Sequence, residues 1–496
     1  MDDNKGNNTI QTLWVLIGSL SAFGFSIVSS MILSRYFTKT DYGTYKQIMY
    51  VYTTLLGLFT LGLPKAYTFF LPRVSQSEAK NVINKINIIL LISGAVLSSI
   101  LYFGSDFIAS TLKNEELSLP LKWFSVVPLF MLPTMGLEGI LSTYKKTQLL
   151  ALYNIITRVL MLICVITPIL FFNGNVIHAV IGFAISSFLS FLLANYLKYH
   201  PLRKIYENMP SSVSYKDIVK YTQPIMLATL CGVVINATDQ FFISRYFGNE
   251  VFADFANGSL ELPFVSMIIS AGGLVLAPIF SKQIYDNGID ATESIIQLWR
   301  SVFSKSIKLI YPLVVFFFCF GDVIMVLLYG QQYESSGTYF RIKLIVNFFT
   351  LAMYGPLLLS IGGNIFYFKV HFYGAILLIL LELISVKTIN SPLAITAISV
   401  ICQIGRIFAM LGYISKYFKI KVIDLFPIKL IIELLLPSII IIYLLKFIFE
   451  GFTLLQGISL IIVAGLGYII ILFLWIRYRK IDYYSIIKPL LQKILK

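Results

Sequence analysis

Apolar runs of about twenty residues, separated by short clusters of charge, Gly and Pro, recur along the whole chain. A run of that length is what one α-helix needs to cross a bilayer's hydrocarbon core of about 30 Å. The pattern predicts helices over 10–34, 46–70, 84–104, 121–141, 148–172, 176–197 and 218–244. A second set follows at 256–280, 298–320, 342–362, 372–389, 393–413, 429–448 and 455–476. The expectation is an all-α polytopic membrane protein of about fourteen transmembrane helices. An even number of crossings returns both ends of the chain to one side. The connecting segments are too short to hold a soluble catalytic or nucleotide-binding domain.

Composition sharpens this reading. Over the 496 residues, 57% are hydrophobic and 13% charged, and the mean hydropathy is +0.82. A soluble chain of that kind could not cover its own surface, so a soluble enzyme, a disordered chain and a coiled coil are excluded. The net charge of +15 points to topology rather than to nucleic acid. With residues at helix ends assigned to the nearer side, 26 Lys and Arg lie on the side of the termini, 10 opposite, and three within spans. Asp and Glu divide 10 to 9. A bias confined to basic residues predicts cytoplasmic termini. The mixed-charge segment from Met1 to Thr9 does not read as a signal peptide.

An internal repeat is visible. Ser34-Arg35-Tyr36-Phe37 recurs as Ser244-Arg245-Tyr246-Phe247, an offset of 210. At the same offset Thr12 meets Thr222, Ser19 meets Thr229, Ser26 meets Asn236, Ser29 meets Asp239, and Gln47 meets Asn257. Six helices separate the copies, so the repeats run parallel, as in transporters whose halves relate by an axis along the membrane normal. The expected organisation is an N-lobe over 1–205 with helices 1–6 and a C-lobe over 206–413 with helices 7–12. Helices 13 and 14 and a cytoplasmic tail occupy 414–496.

The repeat also marks a candidate surface. Thr12, Ser19 and Ser26 are seven apart, as are Thr222, Thr229 and Asn236, and seven residues return to nearly the same helix face. Matched polar stripes at membrane depth, one extended by Asp239, predict a water-accessible cleft. Packing against neighbouring helices is the alternative.

Eight of the ionisable residues inside the predicted spans are singled out: Lys65, Glu138, Arg158, Asp239, Glu261, Glu382, Arg406 and Glu433. Such groups face a cavity or a partner. Lys65, behind Gly62-Leu63-Pro64, is a candidate anion contact, with snorkelling as the alternative. Asp239 is a candidate cation or proton site. Arg158 suits a cavity or a structural role. Arg35 and Arg245 suit interfacial anchoring or ligand contact, and Arg73 could guide an anionic headgroup inward. Glu433 is expected to pair with Lys429 one turn earlier, Glu382 with Arg406, and a helix break is expected at Glu261–Pro263 and at Gly362-Gly363-Asn364.

No P-loop and no HExxH occurs, and His178, His200 and His371 have no metal-ligand spacing. Cys164, Cys231, Cys319 and Cys402 sit apart in apolar stretches, against disulfides or zinc. No catalytic residue, metal or cofactor is expected, and no nucleic acid.

Ser34-Arg35-Tyr36-Phe37, Asp41-Tyr42-Gly43-Thr44-Tyr45 and Gly62-Leu63-Pro64 together resemble the opening of the bacterial polysaccharide-unit (O-antigen type) flippases. These belong to the multidrug/oligosaccharidyl-lipid/polysaccharide exporter superfamily. Asn236, Asp239 and Ser244-Arg245 agree with it. Thr38 stands where Gly is usual, whereas Gly248 keeps it in the second copy. The resemblance implies the bacterial inner membrane, membrane lipid, an undecaprenyl-diphosphate-linked oligosaccharide as cargo, and other polysaccharide-assembly proteins as partners. It implies movement of that cargo to the outer leaflet by alternating access, through a central cleft whose candidate contacts are Lys65, Arg158, Ser26, Asn236, Asp239, Arg35, Arg73 and Arg245. Export of an anion is downhill by about 2.3 kcal/mol per charge per 100 mV. A cation-coupled drug exporter of the same fold and a membrane polysaccharide polymerase are the rival readings. The first would want an acidic cleft, the second a large or carboxylate-rich loop.

Overall fold

The computed structural model describes residues 3–203, 205, 209–450 and 457–484. Among them the chain is helical, without strands. Ten helical stretches are long and apolar enough to cross a membrane, or thirteen if each of three bent pairs is one crossing. One of the ten, Pro263–Cys319, holds two helices, Pro263–Asn287 and Thr292–Cys319, joined by a 3-10 turn at Gly288–Ala291. Contacts divide the chain into two compact units, one up to Ala253 and one from Asp254.

The bent pairs correct three spans expected to be continuous. Lys39–Phe59 and Leu63–Arg73 meet at 41°, because Gly62 takes φ +70 and Pro64 stands in the first turn of the new helix, where its missing N–H is not needed. Glu115–Phe124 and Val127–Thr143 meet at 54°, with Pro128 in the first turn after the break. Ser336–Thr350 and Tyr354–Ser360 meet at 41°, after Met353 at φ 44. The expected breaks at Pro263 and Asn364 are present, each at a helix start.

The two copies of the repeated tetrapeptide end differently. Thr38 caps Lys39–Phe59 by accepting from the Asp41 N–H, a helix start any N-cap side chain can make. Gly248 instead interrupts Tyr215–Gly258 at φ 84, a conformation open to glycine.

In the first unit Asp3–Tyr36 lies along Thr147–Phe172, and Thr147–Phe172 along Val176–Tyr199. Small residues permit the approach: a Cβ on Gly18 would stand 3.2 Å from the Ala151 Cα, and one on Gly182 would collide with the Cys164 carbonyl. That carbonyl lies four residues before Pro168, which has no N–H to offer it. Tyr52, Phe124 and Phe183 form an aromatic cluster between neighbouring helices.

The second unit repeats the element order. Gln76–Phe103, Ser105–Thr111, Ser118–Phe124, Val127–Thr134, Leu137–Thr143, Thr147–Phe172 and Val176–Tyr199 have as counterparts Thr292–Cys319, Gly321–Tyr329, Ser336–Leu344, Asn347–Thr350, Tyr354–Ser360, Asn364–Thr388 and Pro392–Tyr417. An Asp106–Lys122 ion pair of 3.0 Å joins the second and third elements of the first series, and Asp322–Arg341 joins those of the second.

Helices Ile428–Glu450 and Ile458–Tyr478 pack together, the first also against Thr292–Cys319. Here backbone carbonyls freed by proline find side-chain donors, as a membrane interior requires. Pro437 leaves the Glu433 carbonyl free, and Trp475 Nε1 donates to it at 3.0 Å. Pro312 frees the Lys308 carbonyl, which the Tyr483 hydroxyl reaches at 2.7 Å. The Glu433 carboxylate pairs with Arg479 at 2.5 Å rather than with Lys429, because the adjacent helix brings a guanidinium to it.

Candidate functional site

All eight candidate residues lie in the first unit, and contacts between its helices fix their relative depth. Gly18 faces Ala151 and Asn154, and the Tyr36 hydroxyl donates to the Leu170 carbonyl at 3.4 Å, so these helices run in parallel register. Lys46 Nζ meets Ser30 Oγ at 3.3 Å, which sets the antiparallel register of Lys39–Phe59 on the first helix. Against Tyr215–Gly258, Lys39–Phe59 pairs Thr40 with Glu250, Gln47 with Ser244, Tyr50 with Ala237 and Gly57 with Val233, and Gly62 just beyond it meets Ile225.

Read across these registers, Ser26, Arg158, Asn236 and Asp239 share one depth, beside Tyr50. Ser26, Arg158 and Asn236 are exposed, whereas Asp239 is buried and takes the Gln240 N–H at 2.9 Å. Ser19 and Thr229 on the stripes are exposed as well, but Thr222 is buried beside Gly62. The side chain of Thr12 lies outside the described residues.

Lys65 and Arg73 are exposed and stand elsewhere. Gly62 is level with Ile225, fourteen residues from Asp239, so Lys65 lies about 21 Å from Asp239 along the helix axis at 1.5 Å per residue. The Arg73 guanidinium sits 3.5 Å over the Phe69 ring, and Phe69 stacks on Tyr221 at 4.0 Å. That cation–π stack ties the turn at Leu71–Arg73 to the start of Tyr215–Gly258.

Arg35 and Arg245 mark the opposite end. Arg35 is exposed. Arg245 is half-buried and donates to the Thr111 carbonyl. Around this end lies a polar network whose members carry no common signal in the sequence. Gln47 Nε2 donates to Ser244 Oγ at 2.8 Å, Asn114 Nδ2 donates to Gln47 Oε1 at 2.6 Å and to Thr44 Oγ1 at 2.9 Å, and Asn249 Nδ2 reaches Thr44 Oγ1 at 3.3 Å. Thr40 Oγ1 donates to Glu250 Oε1 at 2.7 Å. Thr40 and Glu250 are 210 positions apart, so equivalent positions of the two repeats touch each other. Gly43 lets the helices close, since a Cβ there would run into the Asn249 carbonyl. Gln47 was visible only as the partner of Asn257 in the repeat, and nothing in the sequence linked Asn114 to either.

Two cations at the ends of predicted helices, Lys198 just beyond 176–197 and Lys46 at the start of 46–70, are drawn inside. Lys198 is fully buried, and its Nζ donates to Asn87 Oδ1 at 2.5 Å and to the Pro133 carbonyl at 2.6 Å. Lys46 is half-buried, with its Nζ also 5.1 Å from the Tyr42 ring centroid. No group of three His, Cys, Asp or Glu among the described residues could hold a metal ion.

A chain of apolar helices that brings polar side chains and one guanidinium to a shared depth has the makings of a membrane transporter, and comparison with solved structures bears on that class. The lipid II flippase MurJ in an inward closed conformation superposes with a TM-score of 0.72 at 14% identity, covering 95% of this chain and 99% of that one. An inward-facing multidrug resistance MATE family transporter of the MOP superfamily gives 0.59 at 14% identity, over 82% and 96%. A MOP superfamily transporter from Pyrococcus furiosus gives 0.56 at 15% identity, over 82% and 94%. The fold is therefore that of MOP-type flippases and exporters. No curated protein matches the chain. The polysaccharide biosynthesis protein family matches residues 10–283, more than half of the sequence. The chain belongs to that family.

Proposed function

We propose that this protein moves undecaprenyl-diphosphate-linked oligosaccharide repeat units from the cytoplasmic to the outer leaflet by alternating access, for surface polysaccharide synthesis. The observation that carries the reading is the exposed Arg158 at the depth of Ser26, Asn236 and Asp239. A guanidinium there would offer a diphosphate a partner in place of water, because Arg binds phosphate bidentately. Lys65 and Arg73 at one end would receive the headgroup, and the polar network near Arg35 and Arg245 would be the gate at the other. The two compact units would correspond broadly to lobes over 1–205 and 206–413, with fourteen crossings and both termini cytoplasmic. In that count Pro263–Cys319 is two crossings, because 57 helical residues exceed what a bilayer spans. Buried Asp239 at the same depth favours a second reading, a cation-coupled exporter of the same fold.

The test is the sidedness of lipid-diphosphate sugar in cells depleted of the protein. Accumulation facing the cytoplasm, restored by the wild type and not by Arg158→Ala, is expected. A normal lipid pool with new sensitivity to cationic dyes would replace the flippase by the exporter.

A further inference from the structure

Within the first unit, the linker between the two repeats lies, at Ile205 and over 209–214, along the start of Gln76–Phe103. Ser77, Asn81 and Lys85 are four apart and so share one helix face, with Glu78 and Lys80 beside them. The Ser77 carbonyl accepts the Met209 N–H at 3.1 Å, and Glu78 Oε1 accepts the Ser212 N–H at 3.3 Å. Asn81 Oδ1 takes the Ser211 N–H at 3.3 Å and the Ser211 hydroxyl at 2.9 Å. Lys80 donates to the Ile205 carbonyl. Lys85 Nζ donates to the Val213 carbonyl at 2.7 Å and to Ser211 Oγ at 3.2 Å.

None of the described linker residues is buried: Ile205, Ser211 and Val213 are half-buried, and Met209, Pro210, Ser212 and Ser214 are exposed. The linker is therefore tied by hydrogen bonds that water can replace at small net cost, and not by an apolar anchor whose removal would open a core. The helices on either side are complete without it. Glu78 caps its own helix with its other oxygen, Oε2, which takes the Ser75 N–H at 3.1 Å. Ser214 caps Tyr215–Gly258: its hydroxyl accepts the Asp217 N–H at 3.2 Å, and Asp217 Oδ2 accepts the Ser214 N–H at 2.9 Å. Lifting the linker away would leave both helix ends capped. Beyond Ser214, the first turns of Tyr215–Gly258 rest on the first repeat through the stack of Tyr221 on Phe69 and through buried Ile218 and Thr222.

We propose that this linker is a releasable latch. Docked on Gln76–Phe103, it holds the start of Tyr215–Gly258 beside Phe69 and Arg73. Undocked, it lets that start swing outward and opens the first unit at this end. The contact between Gln47 and Ser244 holds the same helix near its other end, so release of the latch frees one end while the other stays tied. The inference concerns a movement of the chain and does not depend on the cargo.

The experiment uses the full-length protein in non-ionic detergent, with its four cysteines changed to alanine and nitroxides on Ile88→Cys and Val219→Cys, both at exposed positions. Lys85→Met combined with Asn81→Leu removes the bonds to Ser211 and Val213 with little change in volume. Lys85→Gln alone serves the same purpose should that variant not fold. Hydrogen exchange over 209–214 should quicken several-fold in the variant. Double electron–electron resonance between 88 and 219 should show a longer-distance population several-fold larger than in the parent. Exchange that stays slow would mean that these bonds do not hold the linker. Faster exchange with an unchanged distance distribution would mean that the linker is a tether and not a latch. Either result would overturn the proposal.

Discussion

Replacing Gln47 by Leu tests whether the polar network holds its end of the first unit closed. Gln47 donates to Ser244 at 2.8 Å and accepts from Asn114 at 2.6 Å. Gln47 and Ser244 are wholly buried and Asn114 nearly so. Leucine keeps most of the volume and removes both bonds. A buried polar group left without its partner costs about 1–3 kcal/mol. Ser244 loses the bond from Gln47, while Asn114 keeps its bond to Thr44 at 2.9 Å. The closed arrangement should therefore lose about 1–3 kcal/mol. At 1.4 kcal/mol per tenfold, that is a shift of roughly 5- to 140-fold toward the open arrangement. States within a few kcal/mol of each other exchange dominance under such a shift. Spin labels at the exposed Tyr36→Cys and Tyr246→Cys positions, equivalent in the two repeats, report the separation by double electron–electron resonance. One short-distance population is expected in the parent, and a second, longer one in Gln47→Leu. Adding Ser244→Ala to Gln47→Leu should change little further, since contacting residues are not additive. Identical distance distributions with and without Gln47 would refute the reasoning.

Two further outcomes follow from the same geometry. Trp475→Phe should lower thermal stability by about 1 kcal/mol, the scale of one hydrogen bond, because it strips the donor from the Glu433 carbonyl. In a Pro437→Ala background the helix supplies its own N–H and the same change should cost little; equal melting shifts in both backgrounds would refute the account. The second outcome concerns Asp106, whose carboxyl is held below its ordinary value of 3.8 by hydrogen bonds from Ser118 and then Lys122. A depressed folded-state value means that this contact stabilises the hairpin above the unfolded-state value and fades as the pH falls through the lower folded one. Hydrogen exchange over 105–124 should therefore quicken in strong acid in the parent. It should be insensitive to that change in Asp106→Asn, and an equal acid response in both would count against the contact.

The elements of this protein were legible because a bilayer makes them local. Each crossing must satisfy its backbone within its own helix, so an apolar run announces its structure without reference to any neighbour. The repeat was legible for a related reason: Ser34-Arg35-Tyr36-Phe37 and its second copy needed no three-dimensional register to be matched. What the sequence left open depends on which helix faces which. Lys198 reads as a loop cation until the carbonyl of Pro133, 65 residues earlier, and the Asn87 side chain are found against it. Glu433 has a plausible partner one turn away, yet the neighbouring helix brings Arg479 closer. The eight candidate residues were chosen by charge and periodicity, and only the inter-helix registers separate Ser26, Arg158, Asn236 and Asp239 at one depth from Lys65 and Arg73 at one end and Arg35 and Arg245 at the other. Gln47, Asn114 and Asn249 carry no charge and no local pattern, so their joining into one network was decided by tertiary packing alone.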